Sequence, residues 1–269
     1  MQQGTLSIRL MGGFSVSTDA GLIAFPSSGR LRVLLALLLL PDASGWERAQ
    51  LALRLWPDST PGQGRTNLRR ELHRLVRLDP AIECRLSSRG SRLQWQWMTG
   101  DYFDVGSFRA NYELISRCGS PSECQGAFLA CIEHTRGDFM PGLDDEWIQR
   151  QRQALDAQRR SALRHVLRIA AENGDAEQII QAATHLLHDD ACDERAAMTL
   201  IRLHQARGET ALAMRVYRGT EQALARDLGI APSLELRSAF EALRSAPLST
   251  HSQTLLRVPR SSASDAARK

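Results

Sequence analysis

Between Gly64 and Leu78 the sequence reads GRTNLRRELHRLVRL, with Arg65, Arg69, Arg70, Arg74, Arg77 and His73 set against a single acidic residue, Glu71. On a helix that turns about 100° per residue, Leu68, Leu72, Leu75 and Val76 fall on one side. Thr66, Arg70, His73 and Arg77 fall almost opposite, and Arg69 and Arg74 flank them. The leucine stripe explains why such a helix folds against a core. It does not explain a face of like charges, which repel at i, i+4 spacing. A face of this kind is either simply solvated or meets a polyanion. The guanidinium group suits the second role, because its planar fork binds phosphates and guanine edges in two places at once.

The surrounding charge favours a polyanion. Residues 1–100 hold 13 Arg and 7 acidic side chains, residues 101–246 hold 17 Arg and 22 acidic side chains, and residues 247–269 are basic again. A basic first part on an acidic second part points to a polyanionic partner for the first. Lys269 is the only lysine. Genome composition accounts for that arginine bias at least as well as function does.

Other reactive constellations carry less. His185, His188, Asp189 and Cys192 sit near one helix end, where metal binding competes with plain dipole compensation, and the second reading is preferred. Asp144, Asp145 and Glu146 precede Trp147 as a helix start, which favours capping over paired-carboxylate catalysis. GQGRTN, from Gly62, lacks the third glycine of a dinucleotide loop, and neither a GxxxxGK[ST] loop nor a GxSxG elbow occurs. Trp56, Trp95, Trp97 and Trp147 read as core. No catalytic residue, metal or cofactor is expected. The cysteines at 84, 118, 124, 131 and 192 are odd in number and form no CxxC pair, which predicts free thiols in a reducing cytoplasm. Cys124 and Cys131 share a helical face. The run VLLALLLL, from Val33 to Leu40, is too short to span a bilayer and reads as a buried helix.

The elements that position the arginines follow from pattern. Residues 5–25 alternate around Gly12-Gly13 and Asp19-Ala20-Gly21, predicting short antiparallel strands. Helices are predicted over about 29–40, stopped by Pro41, and over about 46–55. A Pro/Gly-rich loop then leads into the arginine helix. IECRLSSRGSRLQWQW predicts a hairpin with Arg89 at its tip and Arg92 close by. Strands, three helices and a hairpin are the layout of a winged helix–turn–helix, in which the third helix enters the major groove and the hairpin is the wing. From 104 onward the pattern is helical, with helices near 104–117, 122–135, 145–173, 175–188, 194–207, 210–228 and 233–243. Asn173-Gly174-Asp175-Ala176 recurs as Arg207-Gly208-Glu209-Thr210 at a spacing of 34, the tetratricopeptide period. The expected domains are 1–98, a winged-helix DNA-binding domain; 101–245, an all-α tetratricopeptide-like domain; and 246–269, a disordered basic tail or linker.

With these elements placed, the chain resembles the SARP family of bacterial transcriptional activators, an OmpR-type winged helix followed by the bacterial transcriptional activator domain. The resemblance rests on GRLRVLLALLLL, on LALRLWPDSTPGQGRTNLRRELHRLVRL, and on the closing hairpin. It rests also on TRGDFMPGLDDEWIQRQRQAL and on ETALAMRVYRGTEQALARDLGIAPSLELRSAFEAL. It implies a mainly α fold with small β elements, and double-stranded DNA as partner. It implies DNA contacts from Arg65, Asn67, Arg69, Arg70, His73, Arg74 and Arg77 on the helix, and from Arg89 and Arg92 on the wing. It further implies an RNA polymerase contact at the loop Pro57, Asp58, Ser59, Thr60, Pro61, Gly62 and Gln63. A cytoplasmic homodimer that activates transcription is the expectation, with no membrane partner. Two other readings stand beside it: a tetratricopeptide-like interaction adaptor, and the front of a larger ATPase-containing regulator.

Overall fold

The computed structural model describes residues 4–26, 29–40, 45–134 and 137–245. It separates into two compact units, 1–178 and 179–269. The predicted stop at Pro41 and the predicted tail at 246–269 lie outside the described residues.

The first unit opens with β1 (Leu6–Arg9), β2 (Ser15–Thr18) and β3 (Gly21–Leu22), antiparallel as the alternation predicts. Helix α1 (Gly29–Leu39) follows. Its leucines are apolar almost all round, and all of Val33–Leu39 is buried. A helix of that character belongs inside a core, and here helices α2 (Arg48–Leu55) and α3 (Pro61–Val76) pack on it. A short α4 (Pro80–Glu83) leads to the hairpin β5 (Leu86–Arg89) and β6 (Arg92–Trp95).

Two strands escaped the sequence reading. Trp46–Glu47, predicted as the start of α2, forms β4 and pairs with β6, giving the order β4-β6-β5. Gly45 makes this approach possible, since a Cβ there would lie 2.4 Å from the Leu93 carbonyl oxygen. Tyr102–Phe103 forms β7, parallel to β1, and completes the order β3-β2-β1-β7.

Two buried carboxylates tie these pieces together. Asp104, the first residue of α5 (Asp104–Arg117), accepts hydrogen bonds from the Leu10 and Met11 amides at 2.7 and 2.8 Å. Asp101 pairs with Arg85, and both side chains are 1% exposed. Arg85 donates from Nε to Asp101 at 2.7 Å, and also to the carbonyls of Ala81 (2.8 Å) and Gly4 (3.0 Å). Burial alone pushes the Asp101 carboxyl up. The hydrogen bonds from Arg85, Met98 and Leu6, with the Arg85 charge, bring it below the ordinary value.

Helices α5, α6 (Pro121–His134) and α7 (Glu146–Asn173) pack together. The segment before α7 docks on the first sheet: the Gly12 amide donates to Asp138 and the Met140 amide to Leu10. Arg152 of α7 donates to the carbonyls of Phe139, Met140 and Leu143 at 2.7–2.8 Å, holding that segment in place. Asp145 caps α7 through the Trp147 amide at 2.9 Å.

The cysteine reading needs correction. Cys118 and Cys124 form a disulfide across the α5–α6 turn, with Cα atoms 5.8 Å apart. The sequence reading expected free thiols and placed Cys124 on one helical face with Cys131, whereas the turn between the helices brings Cys118 to Cys124. Cys84, Cys131 and Cys192 are not disulfide-bonded, and burial pushes the Cys131 thiol up to about 12. Cysteine usage therefore no longer argues for a reducing compartment.

Helix α8 (Ala176–Asp189) starts at the end of the first unit and carries the chain into the second, which continues with α9 (Glu194–Ala206), α10 (Thr210–Ala223), a turn of π-helix (Leu224–Leu228) and α11 (Leu234–Ser245). Ala197, Met198, Ile201, Ala213, Tyr217, Leu236 and Leu243 form its core, and Tyr217 stacks on Phe240 at 4.0 Å. The repeat is real in its turns. Gly174 and Gly208, 34 residues apart, adopt φ values of 70° and 72°, the left-handed conformation that ends a helix.

Candidate nucleic-acid interface

Helix α3 begins earlier than its arginines. Thr60 accepts a hydrogen bond from the Gln63 amide, the Gln63 side chain accepts one from the Thr60 amide, and Pro61 occupies the first helical turn. Three of the seven predicted loop residues are thus helix: Pro61, Gly62 and Gln63 form the first turn, while Pro57, Asp58, Ser59 and Thr60 link α2 to α3. A proline read as a breaker is here a helix start. All seven residues are exposed except Ser59, which is half-buried.

Helices α2 and α3 pack against each other at Gly64, where a Cβ would meet Ala52 Cβ at 3.6 Å, an ordinary van der Waals contact. Leu68, Leu72 and Leu75 are buried, as the stripe predicts, and Val76 is half-buried. At roughly 1.5–3 kcal/mol per buried leucine, that stripe anchors the helix and leaves its other face free. Arg65, Arg69, Arg70, His73, Arg74 and Arg77 are all exposed there, and Asn67 is half-buried.

The hairpin places Arg89 and Arg92 as a cross-strand pair beside the turn at Gly90, whose φ is 61°. Both are exposed. Arg92 lies 3.7 Å from Glu47. Among the described residues, Arg65, Arg69, Arg77 and Arg89 have no carboxylate within ion-pairing distance.

Helix and wing meet at a groove of about 220 Å³, lined by Arg48, Arg69, Leu72, His73, Val76, Leu86, Ser88 and Leu93. Arg48 was missed by sequence reasoning. It opens α2, donates to the Ser88 hydroxyl at 3.1 Å, and so adds a cation between the wing and α3. Only the pairing of β4 with β6 brings it there, and residue spacing carries no sign of that. Glu71 was also passed over. It is 5% exposed and faces inward, with Arg74 Nη1 at 2.9 Å and Arg70 Nε at 3.7 Å.

The remaining candidates divide. Trp95 and Trp147 are buried as expected. Trp97 is 44% exposed and stacks on Phe103 at 5.3 Å, so the core assignment fails for it. Among the described residues no group of three or more His, Cys, Asp and Glu side chains is placed to hold a metal ion, and no helix is long and apolar enough to cross a membrane.

Comparison with known proteins places the helical part of the chain, beyond this face, in a family. Residues 103–244 match the family described as the bacterial transcriptional activator domain. The chain belongs to that family, and it has the domain order of the SARP-type transcription regulators. Among solved structures it is similar to Mycobacterium tuberculosis EmbR, solved in complex with a low affinity phosphopeptide. The TM-score is 0.66 at 21% identity, covering 91% of this chain and 66% of that one. This likeness supports the fold, a winged helix followed by a tetratricopeptide-like helical domain. No curated protein sequence matches the chain.

Proposed function

We propose that the chain binds double-stranded DNA through α3 and the wing and activates transcription by recruiting RNA polymerase. The observation that carries this reading is the exposed cationic face of α3, whose Arg65, Arg69 and Arg77 lack carboxylate partners, continued by Arg48 and Arg89 at the wing. In this reading α3 lies in the major groove. Arg65, Asn67, Arg69, Arg70, His73, Arg74 and Arg77 supply base and phosphate contacts there. Arg89 and Arg92 reach the neighbouring backbone or minor groove. The segment from Pro57 to Gln63, exposed except at half-buried Ser59, leads into the first turn of α3 and is where polymerase is contacted in this reading. The protein acts as a homodimer on paired half-sites in the bacterial cytoplasm, where the chromosome lies. Its boundaries in this reading are 1–98 for the DNA-binding part and 101–245 for the helical part, which supports assembly.

Selection of duplexes from a randomised pool by the full chain tests this directly. Convergence on one motif, repeated at a spacing of about 10–11 base pairs, is the expected result. A pool that stays random after repeated rounds would remove the DNA-reading assignment.

A further inference from the structure

Glu71 stands where helical spacing calls for an apolar residue. It shares the buried side of α3 with Gly64, Leu68, Leu72 and Leu75. Its side chain is 6% exposed, whereas those of Arg70 and Arg74 are 61% and 57% exposed. The carboxylate is therefore an inner group with two guanidinium groups outside it. It also lines a cavity of about 600 Å³ with Pro26, Leu31, Arg74 and Arg77, among others.

A buried carboxylate is unfavourable unless it is paired and hydrogen-bonded. Arg74 supplies the direct bond through Nη1 at 2.9 Å. The rest of its fork remains open to solvent. Arg74 is thus distinguished from Arg65, Arg69 and Arg77: one edge is fixed to the protein, so less conformational freedom is lost when the other edge meets a ligand. The negative charge that fixes it is shielded from any phosphate by the arginines themselves.

We propose that Glu71 is a positioning residue, which holds Arg74 and, more loosely, Arg70 in a fixed orientation toward duplex DNA. Sequence discrimination by α3 then depends on a carboxylate that never touches DNA. The proposal rests on the DNA-binding reading above. It adds that the arginines are unequal: Arg74 is ordered for reading, while Arg65, Arg69 and Arg77 act through charge. Because charge contacts are insensitive to sequence and set the salt dependence, the two roles separate experimentally.

The experiment uses the full chain as wild type, Glu71→Gln, Arg74→Ala and the double variant. Fluorescence anisotropy is measured at several salt concentrations on the duplex selected by the wild type and on a scrambled duplex of equal composition. Thermal unfolding checks that each variant folds. Glu71→Gln is expected to lower the ratio of selected to scrambled affinity about tenfold, within the range for losing one bidentate base contact. Its affinity for the scrambled duplex and its salt slope should not fall. The double variant should fall close to Arg74→Ala and well short of the sum of the two single effects, because Glu71 acts mainly through Arg74.

An unchanged ratio in folded Glu71→Gln overturns the proposal, as do additive effects in the double variant. A merely structural role would lower both affinities together, and that outcome also overturns it. If Glu71→Gln fails to fold, Arg74→Lys carries the test. It keeps the charge but loses the fork, so the same loss of ratio with an unchanged salt slope is expected, and an unchanged ratio overturns the proposal. If the wild type selects no duplex, the DNA-binding reading itself fails and takes this inference with it.

Discussion

Replacing Asp101 with Asn removes one charge from the buried pair beneath the wing and leaves Arg85 without its counter-ion. The geometry sets the magnitude. Both side chains are 1% exposed, so solvent cannot substitute for the lost partner, and Arg85 stays fixed by Ala81 and Gly4. Breaking a buried pair from one side costs about 3–5 kcal/mol. At about 2–4 °C per kcal/mol for a unit of this size, the melting temperature should fall by about 6–20 °C. Acid adds a second signature. The folded-state carboxyl lies below its ordinary value, so its contribution is present in full above the unfolded value of about pH 4. That contribution is lost as pH falls through the lower folded value. The gap between wild type and Asp101→Asn should therefore narrow on acidification in that window. Thermal unfolding followed by circular dichroism from neutral pH downward measures both. A fall of less than about 2 °C at neutral pH, or a gap that widens with acid, would refute the reasoning.

Other expectations concern α3, its cap and a close backbone contact. Thr60→Ala removes the capping box and should cost about 1 kcal/mol in urea unfolding, with Thr60→Ser largely neutral. Gly137→Ala should destabilise by about 1–3 kcal/mol, because φ there is 127° and the new Cβ would sit 2.6 Å from Gly12 Cα; equilibrium unfolding reads the change. Arg77→Ala should weaken binding to selected and scrambled duplexes alike, as the loss of a charge contact does, and leave their ratio unchanged. Arg89→Ala, at the wing tip, should weaken binding to selected and scrambled duplexes alike and flatten the salt slope by about 0.9.

Much of this architecture was legible in the sequence because local chemistry marks it. The leucine period of α3, the Asp145 cap of α7 and the glycines at 174 and 208 each specify an element through neighbours within a turn or two. What escaped depends on partners far along the chain. Strands β4 and β7 are two residues each, too short for any period, and exist only because β6 and β1 lie beside them. Nothing near Arg85 in sequence marks it as buried, and its partner Asp101 lies 16 residues on. Cys118 and Cys124 meet through a turn whose course spacing does not give. In the interface, the cations on α3 and at the wing tip were visible as residues. Their inequality was not, since Glu71 looks on paper like an ordinary surface charge on an arginine-rich helix.

The measurement that bears most directly on the central claim is the salt dependence of binding between the full chain and its selected duplex. If α3 and the wing form a duplex interface, log K should fall linearly with log salt. The slope should be at least about −3, at roughly 0.9 per neutralised phosphate. Removing Arg69 and Arg89 together should make it shallower by about 2. A flat salt dependence, or a steep one that both substitutions leave unchanged, would contradict the assignment of this face to DNA.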